Sequence, residues 1–200
     1  MIKTFICLCA LLGCVLPVWA IGTDTYVVDQ VNGPYKTIQA AVDAAEAGAH
    51  DGNIIDIYVR YGIYDERVHF SGVSAQKPRP LTCEILCDVD STGVQSVTLL
   101  GFDTTNVNYS MKIQGAVIST PVAFTTPTTR CGIYVNSNTS ANTNSVWITH
   151  CRFENIHGAA VLSTGGGQSI NMQYCSISRC TQGVAVDGVK SFLMATTEIT

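Results

Sequence analysis

The sequence predicts an all-β fold in which short strands wind into a parallel β-helix, with one α-helix over its N-terminal end. Three observations predict it: short apolar segments recur at a fixed period in the last third of the chain, each segment alternates apolar with other residues, and one amphipathic helical pattern precedes them. An antiparallel sandwich also contains many short strands, but it does not require a fixed period.

The recurring segments follow one another in a constant order, at intervals of 22 to 26 residues. Three strands per repeat make one turn of a solenoid, and each turn buries its inward side chains by stacking on the next, about 4.8 Å away. The aligned repeats predict five apolar inward columns: Ile133/Ala159/Val184, Val135/Val161/Val186, Val146/Ile170/Phe192, Ile148/Met172/Met194 and Phe153/Ile177/Ile199.

The segment from Thr37 to Gly48 predicts the helix. Thr37 is a suitable N-cap and Gly48 follows the C-terminal end. The shared apolar face consists of Ile38, Ala41, Val42 and Ala45. Such a helix covers the open end of a solenoid. Later runs are expected to be strands at Ile54–Val59, Arg67–Phe70, Leu81–Val89 and Val97–Gly101, and an extended excursion at Pro121–Thr129.

The first twenty residues have the pattern of a secretory signal peptide. Lys3 precedes the apolar run Phe5–Val15, and Ala20 is a small residue at the expected cleavage position. A membrane anchor is the alternative, but the run is too short to span a bilayer. Lipoprotein cleavage before Cys14 is a second alternative. We therefore expect a secreted protein, located outside the cell, at the cell surface or in the periplasm, with no membrane span after cleavage.

The composition excludes two classes of protein. Charged residues make up 13% of the chain and the net charge is -4, which argues against a nucleic-acid partner because phosphate binding needs a basic surface. The hydrophobic fraction of 46% is too high for a disordered chain.

Six cysteines follow the predicted signal peptide, at positions 83, 87, 131, 151, 175 and 180. Cys151 and Cys175 occupy equivalent positions in adjacent turns, where their Cα atoms are close enough for a disulfide. A stack of buried thiols fits the same spacing. Both alternatives stay open at this point.

Four segments near the N-terminus resemble the opening of pectinesterases and related pectin-lyase-like proteins: Tyr26–Val28, Gly33–Val42, Ile57–Val59 and Gly62–Glu66. The later repeats are similar to the generic repeat of that superfamily. The resemblance implies a right-handed parallel β-helix that interacts with polysaccharide. The motifs that carry the catalytic aspartates of pectinesterases do not occur in the sequence, so the resemblance assigns no esterase site.

In pectin-lyase-like enzymes, the cleft follows the outer face of the first strand of each turn, where this chain has one carboxylate, Asp187, and no cation. We therefore assign no catalytic residue. Candidate sugar contacts are Tyr134 and Trp147, which alternate outward and could stack on sugar rings, together with Arg152, Glu154 and Asp187. The alternatives are a surface ion pair for Arg152 and Glu154, a loop (136–144) covering Trp147, and a solvated aspartate.

Two groups of residues suggest metal binding without matching an established pattern. Asp88, Asp90 and Asp103 offer oxygen ligands for Ca²⁺, but their spacing fits no defined loop. His150 and His157 fit no zinc pattern, and His150 aligns with a position where a turn is expected. We expect no metal or other cofactor.

The expected organisation is therefore a signal peptide (1–20) followed by a β-helix domain (21–200), which we expect to continue beyond Thr200 because the chain ends inside a strand. The expected partner is a polysaccharide or glycan. One hypothesis is a carbohydrate-active enzyme of the lyase, hydrolase or esterase type. The competing hypothesis is a non-catalytic surface or adhesin-like protein that binds glycans or protein.

Overall fold

The computed structural model describes residues 22–48, 52–72, 80, 82–105, 107–120, 131–136, 145–165 and 168–200. These residues form a predominantly β fold with parallel sheets and one α-helix, α1, at Ile38–Ala47. The strands are β1 (Thr23–Val28), β2 (Ile54–Val59), β3 (Gly62–Phe70), β4 (Thr82–Cys87), β5 (Val97–Thr105), β6 (Ser110–Gln114), β7 (Ala116–Ser119), β8 (Ile133–Asn136), β9 (Ser145–Thr149), β10 (Arg152–Glu154), β11 (Ala159–Thr164), β12 (Ser169–Gln173), β13 (Ser176–Ser178), β14 (Gln182–Val186), β15 (Ser191–Ala195) and β16 (Glu198–Ile199).

The described residues do not include the predicted signal peptide, the tract Pro121–Thr129 or residues 137–144 of the loop considered as a cover for Trp147. Within the described part of the chain, no helix is long and apolar enough to cross a membrane.

The strands form two parallel sheets. One has seven strands in the order β1, β2, β4, β6, β9, β12, β15. The other has nine strands and divides at β5, where β7, β10, β13 and β16 continue along one branch and β8, β11 and β14 along the other. The ninth strand, β3, also pairs with β5. From β6 onward the chain therefore passes through the seven-stranded sheet, then the first branch, then the second. We call each such passage a lap.

The core consists of inward columns in which side chains from successive laps lie in register. Three predicted columns are confirmed by the pairing: Val146/Ile170/Phe192, Ile148/Met172/Met194 and Phe153/Ile177/Ile199. In strands such as β2, β6, β9 and β12, buried positions alternate with more exposed ones, because side chains of an extended chain point alternately to the two faces of the sheet. These strands therefore bury one face, whereas β14, β15 and β16 contain no buried residue.

The prediction for two columns in the second branch is wrong by two residues. Ile133 pairs with Val161 instead of Ala159, and Val161 pairs with Val184. Val135 in turn pairs with Ser163. A shift of two leaves the inward face unchanged, because side chains alternate with the same period.

The error comes from aligning the repeats on their glycines. Gly132 lies beside Ala160 rather than Gly158, and a Cβ added to Gly132 would lie 2.7 Å from the Ala160 carbonyl oxygen. The position needs a small side chain, and alanine fulfils that need in the next lap. Gly158 instead lies before β11 begins.

The helix matches its predicted boundaries, cap and buried face. Thr37 accepts a hydrogen bond from the Ala40 amide, and the four predicted apolar residues are buried: Ile38, Ala41, Val42 and Ala45. The Glu66 carboxylate accepts bonds from the amides of Ile38 (2.7 Å) and Gln39 (2.9 Å). Glu66 therefore satisfies amides that have no partner within the helix and places a negative charge at its positive end.

Glu46 fixes the other end of the helix. Its carboxylate accepts hydrogen bonds from the Ser71 hydroxyl at 2.7 Å, the Gly72 amide at 2.8 Å and the Tyr109 hydroxyl at 2.8 Å. The segment Gly62–Glu66, which carries the family resemblance, thus has a structural role here: it starts β3 and provides the carboxylate at the helix N-terminus.

Candidate functional site

The five predicted sugar contacts lie in two sheets and do not form one site. Tyr134 lies on β8 and Asp187 directly follows β14, both in the second branch. Arg152 and Glu154 lie on β10 in the first branch, and Trp147 lies on β9 in the seven-stranded sheet. That each of them contacts a sugar stays a prediction.

Tyr134 belongs to a polar region of the second branch. Its hydroxyl lies 2.9 Å from the Thr164 hydroxyl, and its register partner on β5 is Asp103. Asp103 is paired with Arg67 at 3.0 Å. Asp187 is exposed, and its amide donates to the Ser163 carbonyl. Tyr134 is thus held by its neighbours rather than free to turn towards a ligand.

Arg152 and Glu154 form an ion pair, with Nε and Oε1 2.6 Å apart. The two side chains are 37% and 32% exposed. They point the same way from one strand, as their spacing predicts. The surface ion pair that we considered as the alternative to sugar contacts is therefore present.

Trp147 is 40% exposed on the outer face of the seven-stranded sheet. It belongs to a column that runs across all seven strands in continuous register. The members of this column are Thr25, Asp56, Glu84, Lys112, Trp147, Asn171 and Leu193. We call it the central column. It combines two carboxyl groups, one ammonium group and an exposed indole on neighbouring strands.

Glu84 and Lys112 are paired within the central column, with Oε2 and Nζ 2.9 Å apart. Asp56 lies on the other side of Glu84, and its carboxylate accepts a hydrogen bond from the Tyr58 hydroxyl at 3.4 Å. Burial raises the pKa of Asp56 above its ordinary value, and the nearby Glu84 carboxylate raises it further, whereas the Tyr58 hydroxyl and Lys112 lower it. The two carboxyl groups of the column thus differ in environment: one has an ammonium partner and the other does not.

Two columns of mixed composition flank the central column, and both include hydroxyl or amide side chains. On one side stand Thr23, Ile54, Thr82, Ser110, Ser145, Ser169 and Ser191. On the other stand Val27, Tyr58, Leu86, Gln114, Thr149, Gln173 and Ala195. Hydroxyl and amide groups can donate and accept hydrogen bonds in several directions, which suits a ligand rich in hydroxyl groups.

Our sequence prediction missed Asp56, Glu84 and Lys112. It aligned the last third of the chain, where the outer positions of the sheet bear few charges. A signal was nevertheless present, because Lys112 and Glu84 are 28 residues apart and Asp56 precedes Glu84 by the same interval. The apolar neighbours repeat with this period too, as Ile57, Ile85 and Ile113.

The residues considered for metal binding each have separate partners. Asp88 pairs with Arg60 at 3.4 Å, and Asp103 pairs with Arg67. Asp90 accepts bonds from the Thr92 hydroxyl and the Val94 amide in its own turn. Among the described residues, no group of three His, Cys, Asp or Glu side chains could hold a metal ion.

His150 occupies a turn, as predicted. Its φ is 53°, its amide donates to the Gln173 carbonyl, and its ring stacks on Tyr174 with centroids 5.0 Å apart. Tyr174 has a φ of 54° at the equivalent position of the next lap. His150 and Tyr174 therefore occupy equivalent turn positions in successive laps.

The same corner contains a groove lined by Gln95, Cys151, Tyr174, Cys175, Ser176, Thr196, Thr197 and Glu198. Cys151 and Cys175 are free thiols there, and each donates to backbone carbonyls, so the structure has the thiol stack rather than the disulfide. Burial raises the pKa of Cys151 to about 12 and also raises that of Cys175. Thiols of this kind are poor nucleophiles at neutral pH, and the groove offers no reactive group.

Comparisons of the chain with family models, curated proteins and solved structures give no match. The outer face of the seven-stranded sheet therefore has to be interpreted from its own chemistry.

Proposed function

We propose that the protein is a secreted right-handed parallel β-helix that binds a polysaccharide along the outer face of its seven-stranded sheet. The order of the laps supports the fold, since each lap pairs in parallel with the one before it. Parallel crossover connections are almost always right-handed. The signal-peptide pattern at residues 1–20 and the resemblance to pectin-lyase-like proteins support secretion and a glycan partner.

One observation carries the functional proposal: the exposed indole of Trp147 continues a row of charged and polar side chains across adjacent strands. Aromatic rings offer an apolar surface at low entropic cost, and the flanking hydroxyl and amide groups offer hydrogen bonds. Strands lie about 4.8 Å apart, so the row from Asp56 to Trp147 spans about 14 Å. An elongated glycan fits a row of this length better than a monosaccharide does.

The test is a binding measurement with pectin, alginate, a neutral glucan and an amino-sugar polymer. Trp147→Ala should weaken binding to the preferred polymer about tenfold or more, as expected for a central aromatic contact. Tyr61→Ala is the matched control, because Tyr61 is 76% exposed but lies outside this sheet. Absence of binding to every polymer, or equal losses in the two variants, would contradict the proposal.

Hydrolysis by the same face is a second candidate, favoured by the pairing of Asp56 with Glu84 on adjacent strands. Glycosidic hydrolysis uses two carboxyl groups, one protonated and one ionised. Burial and the nearby Glu84 carboxylate raise the pKa of Asp56, which favours its protonated form, and Glu84 has the Lys112 ammonium 2.9 Å away. Release of reducing ends that disappears in both Asp56→Asn and Glu84→Gln would support this candidate.

The competing candidate is a non-catalytic surface protein, for which the same polymers would bind without being cleaved. Asp65→Asn is the control in the cleavage assay, since Asp65 is exposed and lies on β3 in the other sheet. Polymer cleavage by the unmodified chain would contradict the non-catalytic candidate. Binding without cleavage would contradict the hydrolytic one.

Export is tested separately with a reporter fused after residue 20. We expect the fused segment to direct the reporter out of the cytoplasm and to be removed by cleavage after Ala20. Retention of an uncleaved fusion in the cytoplasm would contradict secretion.

A further inference from the structure

The outer face of the seven-stranded sheet carries an excess of negative charge. Its three outer columns contain two carboxyl groups, Asp56 and Glu84, and one ammonium group, Lys112, among the described residues. Lys112 already has a partner, since its Nζ lies 2.9 Å from Glu84. A carboxylate on a ligand would therefore find no uncommitted cation among the described residues of these three columns.

The Asp56 carboxylate, by contrast, would be stabilised by a cation. It accepts a long hydrogen bond from Tyr58, and the described residues place no ammonium or guanidinium group within ion-pair distance of it. Glu84 lies on the next strand and repels its negative charge. A cation brought to Asp56 by a ligand would form a charge-assisted hydrogen bond and relieve this repulsion.

The geometry places such a cation on the path of a ligand that covers Trp147. Asp56, Glu84, Lys112 and Trp147 lie in one column on four successive strands. A chain lying along this column contacts the indole at one end and the Asp56 carboxylate at the other. A ligand with repeated cationic groups can contact the indole and the Asp56 carboxylate at the same time, whatever the order of its sugars.

We infer that the face selects a glycan that carries protonated amino groups, with an ammonium group at Asp56 and a sugar ring on Trp147. This inference rests on the proposed function and specifies its ligand class. It differs from what the family resemblance implies, because the pectic chains that give that superfamily its name are polyuronates, and this face repels their carboxylates.

The experiment compares three oligosaccharides of equal length by calorimetry on the full chain at low ionic strength: a glucosamine oligomer, its N-acetylated counterpart and a galacturonate oligomer. We expect the glucosamine oligomer to bind about tenfold more tightly than the N-acetylated one. The difference should shrink as salt is raised, because exposed charges are screened. The galacturonate oligomer should bind weakest.

Asp56→Asn should abolish the preference for the amine, so that the glucosamine oligomer binds no more tightly than the N-acetylated one. Asp56→Glu should retain the preference, and Asp65→Asn should leave all three affinities unchanged. If the N-acetylated oligomer binds as tightly as the glucosamine oligomer, or galacturonate binds best, this inference is wrong while the proposed polysaccharide binding stands. If none of the three oligomers nor any polymer binds, the proposed function fails as well.

Discussion

The middle laps and the last lap contain similar apolar side chains, yet they bury them to very different extents. Ile113 and Ile148, in one inward column, are 0% exposed, whereas Met194, in the same column, is 41% exposed. The described residues place a lap on both sides of the isoleucines and on one side of the methionine. Burial in this fold is therefore produced by the neighbouring laps and not by the side chain alone.

Truncation of a core side chain should show the contrast most strongly. Ile113→Ala should lower the free energy of unfolding by about 2–5 kcal/mol, since it removes apolar contacts and leaves a cavity between two laps. Ile63→Ala should cost about 1 kcal/mol or less, because its side chain is 76% exposed. Urea unfolding monitored by circular dichroism measures both. Equal losses would contradict the contrast.

Replacing Glu66 should destabilise the N-terminal end of α1. Glu66→Ala removes the acceptor of two helix amides and should destabilise the protein by about 2 kcal/mol. Asp65→Ala is the control, because Asp65 is its exposed neighbour on the same strand. The same urea measurement applies. A similar loss in the control would show that the capping contact contributes little.

The buried thiol of Cys151 should make the free energy of unfolding depend on pH. Cys151 has its pKa raised to about 12 in the folded protein, against an ordinary value of 9.0. As pH rises, the unfolded chain therefore loses the Cys151 proton before the folded protein does. Ionisation of this thiol leaves the free energy of unfolding unchanged below about pH 9, and lowers it by about 1.4 kcal/mol per pH unit as pH rises towards 12. The decrease in the free energy of unfolding per pH unit should be smaller in Cys151→Ala. Identical decreases in the two proteins would contradict the raised pKa of Cys151.

Cys180 offers a comparison nearer the last lap. It is only half-buried, whereas Cys151 is fully buried, and burial raises the pKa of both thiols. A thiol reagent at pH 8 should therefore modify Cys180 before Cys151, as peptide mapping would detect. Modification of Cys151 first would mean that the middle laps open more readily than the last one.

The smallest effect is expected at the surface ion pair. Arg152→Ala should change the free energy of unfolding by less than about 1 kcal/mol, since both partners are about one-third exposed. Unfolding in 1 M salt should abolish most of this difference. A loss as large as that of Ile113→Ala would mean that Arg152 does more than pair with Glu154.

Features that depend on near neighbours in the chain were predictable. The helix was predicted with its cap and buried face because Thr37, Gly48 and the apolar spacing act within a few turns. The columns through Val146, Ile148 and Phe153 were predicted because strands alternate with a period of two and all three columns keep the same spacing between laps, 24 and then 22 residues.

Features that depend on register across laps were less predictable. The glycine alignment misplaced β11 by two residues, because what matters at that position is the space beside Gly132, which Ala160 also fits. The predicted sugar contacts were chosen strand by strand, so Tyr134, Trp147 and Arg152 proved to lie on different strands of two sheets. Only the pairing shows which residues of separate laps share one column.

The sequence by itself determined the predominance of strands, the helix at the start and the apolar columns of the later laps, because these follow from local periodicity. Tertiary structure alone decided that Asp56, Glu84, Lys112 and Trp147 share one outer column. It also decided that Met194 is exposed and Ile113 is not. The physical reason is the same in both cases: side chains in this fold interact chiefly with the strand above and the strand below, which are distant in the chain.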